Sequence, residues 1–219
     1  MPLAALLFDL DGTMALSDTL HLHAFQIVAA RYDVSFDLAY FNQEISGQTN
    51  EVICKRLFSA QPVDDHPRIA EEKEALFRGM IGGLQPVAGL HALLDWADER
   101  DLRLAVVSNA PRANITAALD ALGVTERFDA VVSGEELPRG KPDPLPYLTA
   151  LAALGVAAEA AVVFEDAVPG IAAATGAAIT TIGVTTNRPH AVLTEAGAAI
   201  TLADFTDTSL LPFLIGRME

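Results

Sequence analysis

The chain has 219 residues, 51% of them hydrophobic and 20% charged, with a formal net charge of -15. That length suits one domain with a sizeable core, or one domain carrying an insertion. The negative field repels nucleic acid and anionic membrane surfaces, so neither is an expected partner, and a phosphate-handling site would need local lysine, arginine or metal ions.

The first apolar run, residues 4–8, ends in Asp-x-Asp-Gly and predicts a buried strand running into a turn. Further apolar runs at 102–107, 130–132, 161–164, 179–184 and 199–202 are near-continuous rather than alternating, as in parallel strands covered on both faces. Helical spacing lies between them: Leu90, Leu93, Leu94 and Ala97, then Ile115, Ala118, Leu119 and Leu122 before Gly123. Leu148, Leu151 and Ala152 before Gly155 repeat the scheme, and a short helix is expected over 169–175. Strand and helix alternate, which predicts an α/β core with a Rossmann-like parallel sheet. Trp96 falls on a core helix and reads as packing.

The stretch between the first strand and Leu102 holds no convincing strand, and a loop of that length is not expected inside a compact domain. Ser17 or Asp18 could cap a helix bearing Leu20, Ala24, Ile27 and Val28, and Thr49 could cap another with Val52, Ile53 and Leu57. A third is expected over 69–77. These helices predict an inserted cap over 16–84, with hinges at 14–17 and at Gly82-Gly83, and a core formed by 1–15 and 85–219. The single cysteine, Cys54, excludes an intramolecular disulfide and reads as a small buried hydrophobe. The N-terminal apolar run breaks at Asp9, and no stretch reaches the roughly 18 apolar residues of a membrane span, so a cytoplasmic protein is expected. Its oligomeric state is expected to be a monomer or a small homo-oligomer.

Ligands of open α/β sheets gather at the carboxyl ends of the strands. Asp9 and Asp11 follow the first strand, Ser108 and Asn109 the second, Glu165 and Asp166 the fourth, and Lys141 lies in a proline-stiffened loop. Converging carboxylates repel unless a cation sits among them, and a hard oxygen-seeking ion such as Mg²⁺ is the natural one. Taken singly, each aspartate could be a turn residue or helix cap, and Asp143 ahead of Pro144 is read that way.

Asp9-Leu10-Asp11-Gly12-Thr13, Ser108, Lys141-Pro142 and Glu165-Asp166, in that order, resemble the motifs of the haloacid dehalogenase superfamily across nearly the whole chain. The helical insertion, Leu20-His21, Gly47 and the Phe-Glu-Asp-Ala-Val-Pro-Gly run from Phe164 resemble the branch holding β-phosphoglucomutase and small sugar-phosphate phosphatases. The resemblance implies that Asp9 attacks phosphorus to form an aspartyl-phosphate, and that Asp11 protonates the leaving oxygen and then activates water. It implies Mg²⁺ held by Asp9, the Asp11 backbone carbonyl and Asp166, with Glu165 in direct or water-mediated support. Ser108, Asn109 and Lys141 would bind the phosphoryl group of a small phosphorylated metabolite.

Dehalogenases of the superfamily typically lack the second aspartate, so Asp11 argues against dehalogenation. Phosphonate hydrolysis uses a lysine, and the cap lysines Lys55 and Lys73 sit in no recognisable motif. The mutase carries an arginine shortly after the glycine matching Gly47, where Asn50 stands here; a bidentate phosphate clamp is thereby lost, which favours a hydrolase over a mutase. Leu16 stands where many relatives have an aspartate. His21 matches a histidine that the mutase branch places beside the acid/base, or is a polar face residue of the first cap helix. Gln48, Thr49 and Asn50 are candidate substrate ligands, with helix capping as the alternative for Thr49. Arg112 could reach a substrate anion or lie solvated at a helix start. His23 is expected exposed. A non-catalytic binder of phosphometabolites is the remaining alternative.

Overall fold

The computed structural model describes residues 1–218. Six parallel strands form one sheet in the order β3-β2-β1-β4-β5-β6: β1 (Ala5–Phe8), β2 (Arg103–Ser108), β3 (Ala130–Ser133), β4 (Ala161–Glu165), β5 (Thr180–Val184) and β6 (Ile200–Leu202). Each lies within a residue of its expected apolar run. Both faces are covered, as the unbroken apolar runs require. Leu6, Phe8, Leu104, Val106 and Phe164 face α5 (Leu90–Asp98), α6 (Arg112–Leu122) and α10 (Leu210–Ile215). Ala5, Leu7, Ala105, Val107 and Val163 face the other way, onto α7 (Leu145–Leu154) and α8 (Val168–Gly176). Trp96 is buried in the first of these layers. Phe8 and Phe164 stack with centroids 4.9 Å apart, which ties the two central strands at the level of the site.

Between β1 and α5 the chain folds as α1 (Asp18–Ala30), α2 (Leu38–Tyr40), α3 (Asn50–Leu57) and α4 (His66–Met80). Their apolar faces close on a cluster of their own, with Phe25, Val28, Phe41, Ile45, Ile53 and Ile69 at its centre. Cys54 is buried there, and burial pushes its thiol up to about 11. The segments entering and leaving this unit run side by side: Leu16 N–H donates to the Gln85 carbonyl (2.9 Å) and Val87 N–H to the Met14 carbonyl (2.9 Å).

Five features depart from the expected helices. Leu38–Tyr40, capped by the Asp37 carboxylate on Tyr40 N–H, and the π-turn at Phe41–Ile45 are single turns whose pattern is too short to show periodicity. The short α9 (His190–Glu195) and α10 add to the expected helices. Ser17 precedes α1 but does not cap it, because its hydroxyl donates instead to Asp11, 2.5 Å away.

Candidate active site

The sheet register assembles the site. Phe8 pairs with Val106 on one side and Phe164 on the other, so Asp9 lies level with the ends of β2 and β4. Asp9 N–H donates to the Phe164 carbonyl (3.0 Å), fixing the backbone where the strand stops. Asp9, Ser108, Lys141, Glu165 and Asp166 are all buried and line one cavity, which encloses about 80 Å³ of free space. Asp11 and His21 line it from the side of the helical insertion.

Lys141 is the cationic centre. Its Nζ lies 2.6 Å from Asp9 Oδ1, 2.6 Å from Glu165 Oε1 and 2.7 Å from the Val107 carbonyl. Burial alone would lower its pKa, but the two carboxylates outweigh burial and raise it. One ammonium does not balance the acids around it. Burial, then Glu165 and Asp11, drive the Asp9 carboxyl well above its ordinary range despite Lys141. Burial, Asp9, Asp18 and Glu165 do the same to Asp166. Asp9, Glu165 and Asp166 each present an oxygen within 4.8 Å of the others. A buried, oxygen-only donor set with surplus negative charge fits a hard divalent cation such as Mg²⁺.

Glu165 has a second task. Its Oε1 also accepts from the buried Tyr147 hydroxyl (2.6 Å), so it anchors Lys141 as well as contributing charge. Gly170 must lack a side chain here, since a Cβ would overlap the Glu165 carboxylate. Gly12 is held at φ +79°, and a Cβ there would overlap Asp166 and Asn187. Asn187 Nδ2 bridges Asp166 Oδ2 (2.8 Å) and Asp18 Oδ2 (2.6 Å), tying the β5 loop to the start of α1.

Asp11 sits in a different environment from Asp9. Its Oδ1 accepts from Ser17 and lies 3.1 Å from His21 Nε2. Burial pushes its pKa up, but His21, Ser17 and Lys73 outweigh burial and hold it below the ordinary carboxylate range. His21 stacks on Phe77 (centroids 3.8 Å) and its Nδ1 lies 2.8 Å from Lys73 Nζ. Lys73 contacts both oxygens of Glu74 at 3.0 Å, and the Asn114 amide donates to Glu74 Oε2. Two adjacent motif aspartates are therefore pushed in opposite directions.

The remaining expected residues divide. The Ser108 hydroxyl faces the cavity and accepts from Ala110 N–H (3.0 Å). The Asn109 side chain is committed as a strut: Oδ1 accepts from Lys141 N–H, and Nδ2 donates to the Gly47 and Lys141 carbonyls. Gln48 and Asn50 line the cavity, and Asn50 Nδ2 donates to Glu135 (2.9 Å). Thr49 caps α3 by accepting from Val52 N–H and is not in the cavity wall. Arg112 is taken by Glu136 in a two-pronged pair and also lies outside the cavity, so the structure does not bring it to the other site residues. His23 is exposed. Sequence reasoning reads Asp18 only as a helix cap and Lys73 only as a cap lysine outside any motif, and it misses Glu74, Asn114, Tyr147 and Asn187. Their signal was absent because each lies in a helix or loop with no motif spacing to the strand ends.

A profile of the haloacid dehalogenase-like hydrolases matches residues 6–184. The chain is 32% identical over 203 residues to validoxylamine A 7'-phosphate phosphatase of Streptomyces hygroscopicus subsp. limoneus, covering 92% of this chain and 93% of that protein. It is 32% identical over 204 residues to a phosphorylated carbohydrates phosphatase of Thermotoga maritima, covering 89% and 91%. Its fold superimposes on the crystal structure of β-phosphoglucomutase from Clostridium difficile with a TM-score of 0.86 at 20% identity, covering 98% and 97% of the two chains. With the ordered motifs brought to one buried cavity at the carboxyl ends of a six-stranded parallel sheet, the chain belongs to the haloacid dehalogenase-like hydrolase family.

Proposed function

We propose that this chain, a phosphoric monoester hydrolase of its family, removes phosphate from small phosphorylated metabolites, sugar phosphates among them, through an aspartyl-phosphate on Asp9. The observation that carries this reading is the convergence of Asp9, Lys141 and Asp166 on one buried cavity. The phosphatase relatives are named for validoxylamine A 7'-phosphate and for phosphorylated carbohydrates, and support the substrate class.

An Asp9 carboxylate oxygen attacks phosphorus and forms the acyl phosphate as the bond to the leaving oxygen breaks. Asp11, ionised in the resting site, enters this step in its acid form, which the negative charge of a bound phosphoryl group favours; it gives that proton to the leaving oxygen, then takes one from the water that attacks the acyl phosphate and regenerates Asp9. The carboxylate form of Asp11, accepting from Ser17 and facing His21, is the one the second step needs. Lys141 and Ser108 hold the phosphoryl oxygens. Asp9, Asp166 and the Asp11 carbonyl would hold Mg²⁺, with Glu165 beside them, and the bound ion neutralises phosphoryl charge. The helices over 16–84 act as a cap. The enclosed space is small, so substrate entry and product release need the cap to lift at the paired Leu16–Gln85 and Met14–Val87 segments.

Hydrolysis is favoured over the mutase reaction because, among the described residues, no arginine lines the cavity. Asn50 is spoken for by Glu135, and Lys73 by Glu74 and His21, so no side chain there clamps a second phosphate. A panel of phosphate monoesters with Mg²⁺, scored for free phosphate and for isomerised sugar, tests the reading. Free phosphate from monoesters is the expected result. Isomer formation with a bisphosphate primer would replace it with the mutase, and no turnover of any ester would favour a binding protein.

A further inference from the structure

Behind His21 lies a buried chain of polar groups that the reaction above does not use. Lys73 and Glu74 are each 3% exposed and Asn114 1%. Lys73 Nζ sits 4.3 Å from the Phe25 ring centroid, in a largely apolar wall. An ammonium has only donors, so beside a charged Lys73 the His21 Nδ1, 2.8 Å away, is an acceptor. The ring proton then lies on Nε2, pointing at Asp11 Oδ1. Were Lys73 neutral, its amine could accept from Nδ1–H, and the bare Nε2 would face the carboxylate lone pairs.

Burial lowers the pKa of Lys73, and the Glu74 carboxylate is the largest opposing influence. Glu74 must therefore stay ionised and aimed. The Asn114 amide does the aiming: its Oδ1 accepts from Arg78 Nη1 (2.9 Å), which turns its NH₂ toward Glu74 Oε2. Arg78 and Glu74 belong to α4 of the insertion and Asn114 to α6 of the core, so the arrangement exists only with the two docked.

We propose that Glu74 and Asn114 are positioning residues: across the seam between insertion and core they fix the charge of Lys73, and with it the His21 tautomer that presents Nε2–H to Asp11. The inference rests on the reading of Asp11 as the proton carrier. It adds a reason why proton transfer and docking go together.

Two measurements test it. Nitrogen-15 NMR of histidine-labelled protein, with His21 assigned through His21→Gln, reports the tautomer without any turnover. The wild type is expected to carry the proton on Nε2, and Glu74→Gln and Asn114→Leu to shift it toward Nδ1. A wild-type proton on Nδ1, or an unchanged tautomer in a folded Glu74→Gln, would overturn the proposal. The second measurement compares kcat for an alkyl phosphate with that for p-nitrophenyl phosphate, whose leaving group departs without a proton. Glu74→Gln is expected to lose at least ~10-fold more kcat on the alkyl ester, with KM nearly unchanged, since general-acid help is worth about 10²–10⁴. An equal fall on both esters would mean a merely structural role. If the wild type cleaves neither ester, the phosphatase reading fails while the NMR result still decides the tautomer.

Discussion

Lys141 and Asp9 are separated by 132 positions in the chain, yet the lysine Nζ lies 2.6 Å from an Asp9 oxygen in a buried site. The same ammonium holds Glu165 at 2.6 Å. The pair is both the electrostatic keystone of the cavity and a structural tie between the loop ahead of α7 and the end of β1.

Lys141→Met should therefore damage two things. It removes the phosphoryl-binding charge, which should lower kcat/KM by about 10²-fold or more. It also leaves two buried carboxylates uncompensated, a loss of about 3–5 kcal/mol by analogy with broken buried pairs. Urea unfolding of the metal-free protein checks the second part. A variant as stable as the wild type would show that the ion pair is not what holds these acids in place.

In metal-free protein the raised pKa of Asp166 is a destabilising feature. A carboxyl raised above its unfolded value contributes stability at pH below the unfolded pKa and loses it as pH rises through the folded one. Near neutrality Asp166→Asn should thus raise the Tm of the metal-free protein. Mg²⁺ should raise the wild-type Tm, by an amount equivalent to about 2.7 kcal/mol at a hundredfold excess over its Kd. It should raise that of Asp166→Asn far less, and EDTA should stop turnover. Equal Mg²⁺ responses in the two proteins would remove Asp166 from the metal site.

Gly170→Ala places a methyl group on the Glu165 carboxylate. Overpacking of this kind costs about 1–3 kcal/mol, and activity should fall with it because Glu165 holds Lys141. Gly176→Ala, at the end of the same helix, meets nothing closer than 3.5 Å and should be near neutral by the same unfolding measurement. Equal effects would show that helix propensity, not the clash, governs both sites.

The strands and the acids at their ends were legible because period and position carry them: an unbroken apolar run announces a strand covered on both faces, and the site lies where it stops. Asp9, Ser108, Glu165 and Asp166 are legible in this way, Lys141 by its proline-stiffened loop, and all five share one cavity. The partners that tune them were not legible. Tyr147 sits among the apolar residues of α7, and its hydroxyl finds Glu165 only through helix packing. Lys73 and Glu74 look like two surface charges of an amphipathic helix until α4 docks on α1 and α6. Arg112 had two readings, a ligand for a substrate anion or a solvated residue at a helix start; the fold favours the second and reveals Glu136 as its partner.

The central claim is that Asp9 carries the phosphoryl group, and acid-quenched mass spectrometry of a single turnover tests it most directly. The peptide containing Asp9 should bear a transient phosphoryl group in the wild type. Asp9→Asn should show neither the modified peptide nor released phosphate, while keeping its fold. Phosphate release by Asp9→Asn at a rate near that of the wild type, or a phosphoryl group trapped on another residue, would contradict the account.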